Sequence, residues 1–396
     1  MGPQKDGGEM REKVLKAIDE AEGRLKSLSM RIYENPELAW QEHRAVGWIC
    51  EELEGEGFQV ERSFCGMDTA FRARLRGRAE GPVVALLAEY DALPGLGHAC
   101  GHHLIAGMAV GAALGLKEVL PELEGEVQVI GTPAEEGGGA KAKMVEEGAF
   151  DGVDVAMMMH PSGRTIPARG SLAVRSLEFV FHGRAAHAAA DPEKGINALD
   201  AVVQTFNSIN ALRQQLPDDV RIHGIITDGG QAVNVIPERA SMRLGVRTLR
   251  QEFLDELVEK VEMCARGAAM ATGAKLEVRR LGPVYAAMKV NRPLARIIEG
   301  HFREFGLEIY EPSPTGGMGS TDMGNVSRVV PAAHPYISIS HKDIPGHSEE
   351  FKEAGRSPLA LERMLVGAKV LALTALDLLT DRELLEEVKR DFREGR

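Results

Sequence analysis

The densest group of residues able to bind a metal or move a proton is Glu89-Tyr90-Asp91 with His98-Ala99-Cys100-Gly101-His102-His103 just beyond. It follows the apolar run 83–88, which reads as a strand buried on both faces. Ligands of open α/β sheets gather at the carboxyl ends of strands. Residues two apart in an extended loop point the same way, so Cys100 and His102 can reach one ion. Three more sets each follow another apolar strand: Glu135-Glu136 after 127–131, His160 at the end of 155–159, and His347 after 336–340. Four strand ends bearing metal-capable groups are expected to converge on one edge of one sheet. Adjacent carboxylates such as Glu135-Glu136 make chemical sense where one binds metal and the other stays free to move a proton.

Rival chemistries fit less well. Gly95, Gly97 and Gly101 have the spacing G-x-G-x-x-x-G, not the dinucleotide fingerprint, and no acidic residue sits at a second strand end about 20 residues on. The loop 131–141 lacks the phosphate-loop pattern. A hydrolase using Cys100 as nucleophile beside a histidine is an open alternative, as is a non-catalytic metal-binding relative.

The elements that must position these groups follow from periodicity. Residues 9–34 read as a helix stopped by Asn35-Pro36, and 41–54 as a second. Strands at 59–64 and 69–75 precede the buried one, and the apolar run 104–116 is a buried helix, since its 13 residues fall short of the ~18 of a membrane span. A helix at 140–147 separates two further strands. This alternation predicts an α/β domain with a mostly parallel sheet covered by helices. From residue 172 the order becomes strand 172–181, helix 198–215, strands 220–227 and 240–246, helix 251–271 and strand 275–280. That β-α-β-β-α-β order is ferredoxin-like, an α+β domain. A helix at 293–305, a glycine-rich loop from Gly316 to Gly324, the strand 336–340 and a closing helix 358–379 complete the chain. The expected organisation is a larger domain made of 1–171 and 282–396, with 172–281 inserted.

Length and composition agree. The 396 residues are 44% hydrophobic and 27% charged with a formal net charge of −12, which suits two soluble cores and argues against nucleic-acid or anionic-membrane partners. Residues 1–10 lack a secretory apolar stretch, and Asp6 stands where a Met-Gly myristoylation site needs Ser or Thr. The four cysteines, Cys50, Cys65, Cys100 and Cys264, form no C-x-x-C pair, so a reducing cytoplasm is expected.

The segments Asn35-Pro36-Glu37-Leu38, Asp91 to Pro94, His98 to His102, Pro133 to Gly137, Met159-His160-Pro161, Gly183 to Ala188, Asn234 to Glu238 and His347 to Phe351 occur in order. Together they resemble the aminoacylase/carboxypeptidase family of dinuclear metallopeptidases, over nearly the whole chain. The branch resembled includes p-aminobenzoyl-glutamate hydrolase, hippurate hydrolase and indole-acetyl-amino-acid hydrolases. Glu89 to Gly95 and Gly319 to Ser327 bring it nearest to the p-aminobenzoyl-glutamate hydrolase and Xaa-Arg dipeptidase types.

The resemblance implies a zinc-exopeptidase-like catalytic domain with an inserted lid that also dimerises. It implies two divalent ions, Zn or Mn, with Co or Ni able to substitute. Cys100 would bridge them, His102 and His160 would serve one, and Glu136 and His347 the other. Glu135 would be the general base, Asp91 would orient a ligating imidazole, and His187 would face the oxyanion from the lid. Asn234, Arg247, Gly319 and Gly324 would bind substrate, with a sheet-surface salt bridge as the plain alternative for Arg247. His103 stands where relatives often carry Asp or Asn, and could add a ligand or alter the ligands' surroundings. The implied reaction is hydrolysis of the amide bond of a small N-acyl-amino acid or dipeptide by a cytoplasmic homodimer or higher homo-oligomer.

Overall fold

A computed structural model describes residues 3–313 and 317–395, so Gly316, the expected start of the glycine loop, and the Met1-Gly2 dipeptide lie outside the described residues. Two compact units emerge. One takes the chain through Gly170, then Met288–Gly317 and Asp322 onward; the other is Ser171–Ala287 with Met318–Thr321.

The first unit opens with helices α1 (Pro3–Glu20), α2 (Glu22–Glu34) and α3 (His43–Gly55), then strands β1 (Gln59–Arg62), β2 (Phe71–Arg76) and β3 (Ala79–Ala88). After these come α4 (His102–Lys117), β4 (Glu124–Gly131), α5 (Ala140–Glu146), β5 (Val155–Met157) and β6 (His160–Ser162). The helix expected over 9–34 is thus two, parted at Ala21, whose N–H still reaches Ala17. The six-stranded sheet has the order β1-β2-β4-β3-β5 and then a short strand described below. Its β4, β3 and β5 run parallel, while β1 and β2 add an antiparallel edge.

The second unit is β7 (Ala173–His182), α6 (Ala198–Leu212), β8 (Arg221–Asp228), β9 (Arg239–Thr248), α7 (Leu254–Thr272) and β10 (Lys275–Tyr285). Its antiparallel sheet is ordered β10-β7-β9-β8, the ferredoxin-like arrangement. The apolar faces of α6 and α7 cover one side of that sheet, with Phe179, Phe181, Met242, Leu257 and Val261 fully buried.

The chain returns to the first unit with α8 (Arg292–Glu304), α9 (Met323–Val329), β11 (Ala332–Ala333), β12 (Tyr336–Ser338), α10 (Glu349–Gly355), α11 (Pro358–Thr380) and α12 (Arg382–Glu394). The sixth strand of the large sheet is β11, parallel to β5. Helices α4 and α11 are apolar nearly all round because both are core helices, and they pack on each other and on β3. Their approach needs Gly111, where a Cβ would lie 2.9 Å from the Ala368 Cβ. Among the described residues no helix is long and apolar enough to cross a membrane.

Two strands differ from expectation in a way that matters for the site. The run 155–159 stops at Met157, and His160 opens a new strand instead of ending the old one. Pro161 lacks the N–H that a continued ladder would use. The strand around 336–340 is the short β12, which pairs with β6 in a separate two-stranded ribbon, Tyr336 opposite His160. The four ligand sets therefore arise from the ends of β3, β4 and β5 and from that ribbon, not from one sheet edge.

Candidate metal centre

The site in the first unit begins where β3 runs out. Glu89, Tyr90 and Asp91 are buried, and the Tyr90 hydroxyl donates to the Thr69 carbonyl at 2.6 Å, which anchors the exit of the strand. The chain then turns through Gly95 and Gly97 to Gly101, whose φ of +82° starts α4. A side chain at Gly101 would be strained by that φ, and its Cβ would come 2.5 Å from the Pro161 ring. This tight turn puts Cys100 just before α4 and His102 in its first turn.

His102 is completely buried, and its Nδ1–H donates to Asp91 Oδ1 at 2.9 Å. Asp91 accepts the Glu136 backbone N–H through its other oxygen at 3.0 Å, so one carboxylate ties the β3 exit to the β4 exit. With Nδ1 engaged by Asp91, Nε2 is the ring atom left to meet an ion; it is buried and makes no hydrogen bond, with Glu89 Oε2 3.2 Å away. His160 has the same logic, since Nδ1 donates to the Pro161 carbonyl at 2.7 Å while Nε2 faces Cys100 Sγ at 3.6 Å. His347 arrives on a backbone held at φ +58°, its N–H on the Ala99 carbonyl at 3.0 Å, and its Nε2 lies 3.3 Å from Glu136 Oε1. Ala134, just before the Glu135-Glu136 pair, also has a positive φ of +55°, and its N–H is held by buried Glu42 at 2.8 Å. Left-handed backbone at two non-glycine residues marks where the surrounding structure overrides local preference.

The donor atoms of Cys100, His102 and His160 lie within 4.8 Å of one another, as do those of Cys100, Glu136 and His347, and those of His102, Glu135 and Glu136. Cys100 belongs to both of the first two groups. Thiolate, imidazole and carboxylate donors with orphaned lone pairs are the chemistry of a transition-metal pocket, so the residues present fit metal ions. Electrostatics agree. Burial opposes ionisation of Glu136, but His347 and His102 outweigh it and hold the carboxyl below its ordinary range. Burial lowers His160 to about 4, leaving a neutral ring. Burial, then Glu89, Asp322 and Glu136, push Glu135 well above the usual carboxylate range, with Lys141 opposing.

Asp91→Asn is expected to weaken metal binding by about 10–100-fold, the usual cost of losing the group that orients a ligating imidazole. Chelator competition on the purified variant measures it, and unchanged affinity would contradict the role of Asp91.

The remaining expected site residues fall elsewhere. In the second unit, His187 bridges to Val235, and the Ala188 N–H reaches the Asn234 carbonyl at 2.9 Å, so His187 and Asn234 are neighbours. His187 Nδ1 accepts the N–H groups of Ala189 and Ala190, which puts its proton on Nε2. Arg247 on β9 is half-buried and donates to Ser320 Oγ at 3.2 Å, next to Gly319, whose carbonyl accepts the Leu172 N–H. Gly324 lies buried in α9 of the first unit. His103 is turned into the core, donating to the Gly355 carbonyl at 3.0 Å with its ring against Tyr33 and His98.

Sequence reasoning missed a buried charge cluster beside the ligands. Lys141, fully buried, sits 2.6 Å from Glu89 Oε1 and 2.7 Å from Asp322 Oδ1, and the oxygens of Glu89, Glu135 and Asp322 lie within 4.8 Å of one another. The usable signal was Glu89, a charged residue directly continuing the buried end of β3. His334 and Tyr336 were missed too; both rings pack on His160, with centroids 5.5 and 5.6 Å away.

An α/β domain that gathers thiol, imidazole and carboxylate donors around one pocket has the architecture of a metallohydrolase. The comparisons agree: residues 85–377 match the model of "Peptidase family M20/M25/M40", and the chain belongs to that family. It is 40% identical to the Xaa-Arg dipeptidase of Mus musculus, over 97% of this chain and 92% of the mouse protein. It is 28% identical to one of the p-aminobenzoyl-glutamate hydrolase subunits of Escherichia coli, over 96% of this chain and 94% of that one. A solved dinuclear metal binding peptidase from Bacillus subtilis shares the fold, with a TM-score of 0.70 at 23% identity over 91% of this chain and 99% of that one. The protein is accordingly a hydrolase of peptide or amide bonds, with a dipeptidase or amidohydrolase role.

Proposed function

We propose that this chain is a cytoplasmic dinuclear dipeptidase that removes a basic C-terminal residue from small dipeptides. Cys100 with His102 and His160 would hold one ion, and Cys100 with Glu136 and His347 the other. The observation that carries this reading is the pair of donor groups meeting at Cys100. The likeness to the mouse dipeptidase favours the substrate class. Zinc or manganese suits a set that mixes thiolate and imidazole with carboxylate.

When bound, the two ions supply an activated water and a polarised scissile carbonyl. The chain's residues do the rest. Glu135, beside Glu136 and unwilling to stay ionised, accepts the water proton and returns it to the leaving amine. His187 offers its Nε2–H to the oxyanion. Arg247 has a buried Nε that makes no hydrogen bond, and takes the substrate's terminal carboxylate; Asn234 and the loop from Gly319 to Gly324 support it. Cys100 as nucleophile fits poorly, because burial raises its thiol despite the opposing pull of His102.

The test is a panel of dipeptides, N-acyl amino acids and p-aminobenzoyl-glutamate, run with each metal restored in turn. Highest kcat/KM for dipeptides ending in Arg or Lys is expected. Preference for p-aminobenzoyl-glutamate would move the assignment to the second reading, which the Escherichia coli relative favours.

The second unit is also the proposed dimer surface. Its outer strand β8 exposes Ile225 and Ile226, 64% and 46% accessible, on the open edge of the sheet, and an apolar strand edge invites pairing. Ile225→Lys should shift the protein from dimer to monomer in analytical ultracentrifugation; a wild-type monomer would contradict the assignment. Four free thiols suit a reducing compartment.

A further inference from the structure

The metal reading uses Cys100, His102, Glu136, His160 and His347, and leaves the cluster of Lys141, Glu89 and Asp322 without a purpose. Lys141 is completely buried, with Nζ on Glu89 at 2.6 Å and on Asp322 at 2.7 Å, and its backbone N–H donates to the other Asp322 oxygen at 3.0 Å. A buried lysine paired to one carboxylate would be neutral. Here two carboxylates share it, so one negative charge is left uncompensated in the interior, where unpaired charge is costly.

The surplus charge faces the ligands. Glu89 gives Oε1 to Lys141, which turns Oε2 toward His102 Nε2 at 3.2 Å. Both atoms are buried, and neither makes a hydrogen bond despite the short separation. With the His102 ring neutral and its proton on Asp91, as an ion-binding imidazole requires, the two facing atoms would both present lone pairs and call for a cation close to both. The separation itself is informative: donors about 2.0 Å from one tetrahedral ion stand about 3.3 Å apart.

We propose that Glu89 is a further donor to the ion held by His102, and that Lys141 is the positioning residue that aims it. Resting on the dinuclear reading, this assignment makes the charged cluster part of the metal site. It predicts that this ion's affinity depends on the Glu89 charge and that Lys141 acts only through Glu89.

The experiment compares wild type with the near-isosteric Glu89→Gln, measuring bound metal after dialysis, affinity by chelator competition and the visible absorption of the cobalt-loaded protein. Wild type should hold two ions. Glu89→Gln should keep one at wild-type affinity, bind the other at least about tenfold more weakly, and change the cobalt spectrum. Two ions at unchanged affinity with an unchanged spectrum would overturn the proposal and leave the dinuclear reading intact; a wild-type chain that binds no metal would overturn both. Lys141→Met should weaken the same ion, and the double variant should be no weaker than Glu89→Gln alone. Additive losses would show that Lys141 does not act through Glu89. Should Lys141→Met fail to fold, Glu89→Gln carries the test.

Discussion

Replacing Glu135 by Gln should cut kcat by about 10²–10⁴-fold, the range for losing a general base, while metal content and KM stay close to wild type. Glu135 sits within 4.8 Å of both His102 and Glu136. Burial and then the neighbouring carboxylates push its carboxyl up, which favours keeping a proton once it is taken from an activated water. The amide of Gln keeps the size and can accept a hydrogen bond, but cannot take the proton. A variant that loses metal together with activity would instead place Glu135 among the ligands, and one that keeps full kcat would remove it from the mechanism. Metal analysis beside steady-state kinetics separates these results.

Cys100→Ala should have the largest effect on metal binding. Losing a supporting hydrogen bond costs roughly 10–100-fold in affinity, and Cys100 is no supporting group. It is the one residue common to the groups with His102 and His160 and with Glu136 and His347. If it serves both ions as proposed, its removal takes a donor from each at once, so affinity should drop by more than about 100-fold for the pair, beyond that supporting-bond range. Turnover should fall in step. Loss of one ion only would show that Cys100 serves a single site, and retention of both would exclude it as a ligand. The fold should survive, because the Gly101 turn and the Asp91–His102 hydrogen bond do not depend on the thiol.

Much of the catalytic unit was legible because burial writes itself into composition. The second half of strand β3 and helix α4 are apolar on every side, so their type and order could be read directly, although β3 starts at Ala79, ahead of the Gly81-Pro82 pair that seemed to bound it. The β-α-β-β-α-β order of the second unit was equally plain. What was hard to read depends on long-range pairing or on polarity. Helix α12 is strongly charged and keeps only Leu385 and Val388 buried, so its apolar pattern was too weak to extend the expected elements past 379. Helices α9 and α10 have seven residues each and start beside Asp322 and Ser348, which resembled loop chemistry. The pairing of β12 with β6 could not be foreseen from two short runs so far apart in the chain. The Lys141–Asp322 pair, 181 positions apart, had no local signal, because lone charged residues usually belong to the surface. The candidate ligands stood out because chemistry restricts which residue types can follow a buried strand in such numbers.

On the reading proposed above, the pocket around Cys100 hydrolyses amide bonds through bound metal. The most direct measurement strips the chain with chelator, restores Zn²⁺ or Mn²⁺ in steps, and follows turnover of an Arg-terminated dipeptide against ions bound per chain. Turnover should be absent in the stripped protein and reach its full value at two ions per chain. Full turnover by the stripped protein, or none at any metal loading on any amide of the panel, would contradict the account.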